Sequence, residues 1–159
     1  WAGYLAHYVA DNTQPQHATI DYKSQSYFKN RRSAPNVHAA VEYLMCDDDI
    51  EHPELRAEFW PMFVRELDSF ADPVKTDDLF QATLEVAMQS YDALPLIGEA
   101  AANATSSDMK LNVEKFFRYR GKVNGREQTV MEMKARQTAW AVKRIERVWK
   151  QAWDEARKK

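Results

Sequence analysis

Apolar positions recur three and four residues apart along most of this chain, the repeat of an α-helix rather than of a strand. A first helix is predicted over residues 1–12. Residues 13–33 break the repeat and are rich in polar and aromatic side chains, including Tyr22, Tyr27 and Phe28, so they read as a loop. Pro35 and Asn36 start a second helix, which should end near the acidic run Asp47, Asp48 and Asp49. Pro53 suits the first turn of a third helix, where its missing N–H has no partner to lose. Leu55, Phe59, Phe63 and Leu67 are spaced there for one buried face, and Pro61 should kink or restart that helix.

Beyond Asp72 and Pro73, Thr76 is a suitable cap for a fourth helix. Its predicted buried stripe is Leu79, Phe80, Thr83, Leu84, Ala87, Tyr91 and Leu94, with a bend at Pro95. Residues 100–107 are small and polar and read as a frayed end. A short helix is expected over 108–119, then a turn marked by Gly121 and by Asn124 with Gly125. The last helix is predicted over 126–156, anchored by Met133, Val142, Ile145, Val148, Trp149 and Trp153. The fold class that results is all-α, a multi-helix bundle in a single domain over residues 1–159.

Composition narrows this picture only slightly. Hydrophobic residues are 45% of the chain, enough for a real core, and only four glycines argue against a turn-rich β fold. A net charge of −2 gives no bulk attraction to nucleic acid or anionic membrane. One cysteine, Cys46, excludes an internal disulfide. No apolar run of the eighteen or more residues that a transmembrane helix needs occurs, and no signal peptide is visible.

The histidines carry the chemistry. His7 and Asp11 stand four apart and share a helix face, and His38 and Glu42 repeat that spacing. Pro15 ends the first helix and lets His17 approach from a loop. Neutral imidazole nitrogens and carboxylate oxygens are what zinc takes as ligands. Three of the four histidines fall into this one pattern, which gives the metal reading more weight than a lone His–carboxylate pair would, although spacing alone still favours surface ion pairs.

The stretch Ala6-His7-Tyr8-Val9-Ala10-Asp11, then Gln14-Pro15-Gln16-His17, then Pro35-Asn36-Val37-His38 and Glu42, resembles the zinc-dependent phospholipase C and single-strand nuclease superfamily over residues 1–49. The resemblance implies an all-helical domain with up to three Zn2+ ions and metal-activated water that cleaves a phosphodiester. His7 and Asp11 would hold one zinc of a close pair, and Asp11 would bridge to the second. His17, His38 and Glu42 would hold the remaining zinc, the one site with all its protein ligands in this chain. The superfamily's other ligands, a terminal Trp among them, lie upstream of the motif. Trp1 is not that residue, because it stands on the same predicted helix as His7. The chain is therefore expected to be the carboxy-terminal portion of a larger zinc hydrolase, with an amino-terminal companion chain as a partner. The general base is expected outside this chain.

Glu rather than Asp at position 42, and Tyr22-Lys-Ser-Gln-Ser-Tyr27 where nucleases carry Gly-Gly-Asn, lean towards a phospholipid substrate. The alternatives are a single-strand nuclease of the same superfamily and a non-catalytic helical module stabilised by zinc. The resemblance implies a secreted or periplasmic protein. Other features read plainly. Asp47–Asp49 lacks the glycine and distant Glu of a calcium loop and reads as a solvated helix end. Lys143, Arg144, Arg147, Lys150, Arg157, Lys158 and Lys159 read as a solvated basic face. Cys46 beside an acidic run is a poor nucleophile. His52, before Pro53, is expected to be exposed.

Overall fold

The computed structural model describes residues 2–29, 34–46 and 51–158. Its described residues are mostly helical: α1 (Ala2–Asp11), α2 (Val37–Tyr43), α3 (Pro53–Ser69), α4 (Leu79–Tyr91), α5 (Leu94–Ala104), α6 (Val113–Arg118) and α7 (Val130–Ala156). Single 3-10 turns at Pro15–Ala18 and Gln25–Tyr27 interrupt the loop between α1 and α2. The predicted end of the second helix at Asp47–Asp49 lies outside the described residues, as do Trp1 and Lys159.

The all-α expectation needs one addition. β1 (Arg120–Val123) and β2 (Arg126–Thr129) form an antiparallel hairpin with Val123 opposite Arg126. Asn124 (φ 52°) and Gly125 (φ 78°) form the two-residue loop. Two successive positive φ values match the twist of the strands, and Asn-Gly is the pair that adopts them most readily. The last helix therefore begins at Val130 rather than 126. Thr129 closes its first turn: its hydroxyl accepts from the Glu132 N–H, and the Glu132 carboxylate accepts from the Thr129 N–H.

Proline and small residues account for other departures. Pro61 neither ends nor restarts α3, which runs through it. The carbonyl it leaves unmatched belongs to Ala57, on the exposed side. Pro95 does not bend a long helix but sits in the first turn of α5. Asp78, not Thr76, caps α4, accepting from Gln81 N–H at 2.8 Å. Residues 100–104 are not frayed: Ala100, Ala101 and Ala104 are buried in α5.

α7 is the axis of the packing. The main core gathers Phe59 of α3, Leu96 and Ile97 of α5, Phe116 and Phe117 of α6, and Met131 and Met133 of α7. Gly98 has no room for a Cβ, which would meet the Tyr27 ring at 2.2 Å, so α5 holds the 25–27 turn against itself. A smaller cluster joins Val74, Ala82, Val86 and Trp140. α4 thus buries its small side chains, and the predicted stripe is a correction: Leu79, Phe80, Leu84 and Tyr91 are exposed. Among the α7 anchors, Met133 and Val148 are buried, Ile145 is half-buried, and Val142, Trp149 and Trp153 are exposed.

Two α7 cations are structural rather than solvated. Arg144 is buried and donates to Asp72 at 2.9 Å. Arg147 donates to the carbonyls of Val74 and Thr76 at 2.7 and 2.9 Å. Together they pin the segment before α4 onto α7. Lys134 is also buried and donates to the carbonyls of Leu44 and Glu42, the second at 3.5 Å. It thereby satisfies the end of α2, whose last carbonyls have no partner within the helix. Lys134→Met should lower stability by about 1–3 kcal/mol, because acceptors would be left buried and unpaired. A urea midpoint equal to that of the parent would disprove this role.

Candidate functional site

The loop between α1 and α2 is folded by local chemistry. Thr13 donates from both its N–H and its hydroxyl to the Ala10 carbonyl, at 2.9 and 2.8 Å, which finishes α1. Pro15 then opens a 3-10 turn whose entry Gln14 holds, accepting from the Gln16 N–H at 3.2 Å. Ser90 of α4 donates to the Asn12 carbonyl at 2.7 Å and ties this turn to the body. The turn presents His17. Asn36 caps α2, accepting from Ala39 N–H at 3.3 Å. His38 follows in the first turn, and Glu42 lies one turn later on the same face.

All five predicted site residues are brought into one line of contacts. His7 Nε2 stands 3.4 Å from one Asp11 oxygen, and His17 Nδ1 stands 3.4 Å from the other. His17 Nε2 stands 3.0 Å from His38 Nε2. Glu42 straddles the two rings, with one oxygen 3.4 Å from His17 Nε2 and the other 3.5 Å from His38 Nε2. Donors held 2.0–2.1 Å from a tetrahedral ion stand roughly 3.3 Å from one another. The spacings between His17, His38 and Glu42 lie close to that length, and one ligand atom from each falls within 4.8 Å of the others. These three residues could hold a metal ion. Among the described residues no other group of three such donors converges.

Asp11 and His7 have different surroundings. The His7 side chain is 69% exposed and, among the described residues, meets only Asp11 within ion-pair range. Asp11 faces the far nitrogen of His17. A proton on His17 Nδ1, held towards Asp11, leaves the Nε2 lone pair for a cation, an arrangement by which outer carboxylates fix the tautomer of a ligating histidine. His38 is prepared differently. Burial pushes its imidazole below the ordinary value, Glu42 pulls it back up, and His17 adds to the lowering. The neutral ring that a cation needs therefore persists into mildly acidic solution.

A cavity of about 690 Å3 opens beside the triangle, lined by Tyr8, Asp11, Gln16, His17, Tyr22 and His38, with Thr83 and Ala87 of α4 on its far wall. The Tyr22 ring stands edge-on to His38 at 5.6 Å. A smaller cavity of about 210 Å3 lies on the other side of His17 and Glu42 and reaches Lys134, Gln137 and Cys46. Cys46 is a free, half-buried thiol and does not join the donor group. His52 is half-buried at the start of α3, not exposed.

Comparison with family models, with curated proteins and with solved structures yields no match. The site is thus characterised by its own geometry. Sequence spacing missed Lys134, which fastens the end of α2 and so the helix that carries two of the donors. A lysine inside a helical stripe gives no local sign of a carbonyl partner 90 residues away.

Among the described residues no helix is long and apolar enough to cross a membrane.

Proposed function

We propose that this protein is a zinc-dependent phosphodiester hydrolase of the phospholipase C type. The observation that carries the reading is the triangle of His17, His38 and Glu42, two imidazoles and a carboxylate at tetrahedral spacing beside a cavity. Two nitrogens and one carboxylate are a donor set of catalytic zinc, which keeps a further position open. When bound, zinc supplies Lewis acidity and brings the pKa of the water it holds to about 7. The chain's own residues bind and orient. His17 and His38 offer neutral nitrogens, Glu42 supplies negative charge, and Asp11 keeps the His17 proton on Nδ1. The cavity wall of Tyr8 and Tyr22 screens the site and gives the organic part of a diester an apolar surface. No residue of the described chain is assigned as general base. His7 and Asp11 as ligands of a further close pair, and the arrangement of helices as the bundle of that superfamily, belong to the same proposal.

A single-strand nuclease is the second reading, and a specific observation favours it. Two tyrosines on a cavity beside a metal triangle suit stacked bases as well as lipid. One experiment separates these readings. The protein is assayed on phosphatidylcholine and on single-stranded DNA, with and without chelator, and its zinc is counted. Hydrolysis of the lipid, stopped by chelation and restored by zinc, is the expected result. Preference for DNA moves the substrate to the nuclease reading. Bound zinc with neither activity would support a structural metal module, and absence of zinc binding would overturn the metal reading altogether.

A further inference from the structure

α1 is an anomaly of packing. Seven of its ten residues are apolar or aromatic, yet none of the ten is buried. Its ridge of Tyr4 (71% exposed), Leu5 and Tyr8 (65%) borders a groove closed on the other side by Trp149 (47%), Ala152 and Trp153 (65%) of α7. The groove holds about 730 Å3, and no charged side chain lines it among the described residues. An isolated helix of ten residues is marginal in water, so α1 as described gains little from its own apolar content.

We propose that this groove is a dimer interface, in which each of two copies of the chain seats its Tyr4–Tyr8 ridge in the groove of the other. Several observations select a second copy. Large aromatics expose up to 150–250 Å2 each, so the ridge and the two tryptophans leave on the order of 600 Å2 uncovered per copy. Paired by a two-fold axis, they would bury about 1,200 Å2, the lower limit of specific interfaces. The composition is that of an interface core, with Trp and Tyr present and charge absent. The groove is concave between two helices, which fits a helix ridge better than a flat bilayer. Charge points the same way. Lys150 beside the groove is paired with Asp154 at 2.6 Å, and the chain carries a net charge of −2, so bulk charge does not draw the chain to an anionic membrane. The interface is independent of the metal reading, although Tyr8 lines both the groove and the metal cavity.

Sedimentation of the intact chain at tens of micromolar tests this. The expected mass is twice 18.5 kDa. Trp153→Glu and Tyr4→Glu should each weaken association at least tenfold while the helical circular dichroism is kept. If one variant fails to fold, the other still decides. Ile20→Glu, at a fully exposed position outside the groove, should leave association unchanged. A monomer in the parent protein, or a dimer insensitive to both groove variants, would overturn the inference. So would a monomer that cosediments with phosphatidylcholine vesicles, which would make the groove a lipid-docking surface.

Discussion

His38→Ala should abolish binding of the ion at the triangle, whereas His7→Ala should leave that ion nearly unaffected. His38 supplies one edge of the triangle to His17 at 3.0 Å and another to Glu42 at 3.5 Å. Without it two donors remain, and neither can close a tetrahedral site. The affinity loss should exceed the roughly 10–100-fold that follows removal of an outer-shell partner. A ligand that binds only the folded state at about 100 times its dissociation constant stabilises it by about 2.7 kcal/mol. Added zinc should therefore raise the melting temperature of the parent and of His7→Ala, but not of His38→Ala. Metal content after dialysis gives the same comparison without heating. A His38→Ala protein that retains its zinc and its zinc-dependent melting shift would remove the triangle as the metal site. Loss of the triangle's ion in both variants would instead make His7 a ligand of that ion, whereas the superfamily resemblance implies that it holds a separate zinc.

What the sequence made legible was what is local. His7 with Asp11, and His38 with Glu42, are four apart, and helical spacing alone puts each pair on one face. Asn36 caps the second helix, whereas the first already ends at Asp11 and Pro15 opens the turn that follows. Convergence of the two pairs was legible only through the resemblance, because contacts that hold this region, such as Ser90 on the Asn12 carbonyl, span 78 residues. The α4 stripe was misread for a physical reason. Its large apolar side chains lie on the side away from the core, and the small Ala82 and Ser90, with Val86, let the helix sit close to its neighbours. In this helix side-chain size does not track burial. The hairpin was missed because its strands are four residues each and mostly polar, with Val123 and Gln128 the buried positions. The Asn124-Gly125 pair was the available signal, and it was read as a turn without the strands that such a pair joins. The basic face of α7 misled in the same way as Lys134. Arg144 and Arg147 sit among solvated neighbours in sequence, yet their partners lie about 70 residues upstream.

Asp72→Ala should be the most destabilising single change outside the core. Asp72 accepts from the Arg144 guanidinium at 2.9 Å, from the Trp140 ring N–H at 3.1 Å and from the Val74 N–H at 3.0 Å. The Arg144 side chain is only 5% exposed, so removing the carboxylate strands a cation away from water. Breaking a buried pair on one side costs about 3–5 kcal/mol. For a domain of this size that corresponds to a fall of roughly 10 °C in Tm. Asp72→Asn keeps an acceptor for Trp140 and should cost less. The acid limb supplies the decisive check. Burial raises the Asp72 carboxyl, but the hydrogen bonds from Arg144, Val74 and Trp140, with the charge of Arg144, outweigh it and hold the group below its ordinary value. A carboxyl lowered in the folded state stabilises fully above its unfolded value, near 3.9, and loses that contribution as pH falls through the folded value. The urea midpoints of parent and Asp72→Ala should thus differ most near neutrality and converge below about pH 4. A gap that stays constant into strong acid would mean that the residue acts through shape alone. In that case the segment before α4 would be held by Arg147, which reaches Val74 and Thr76 without the help of Asp72.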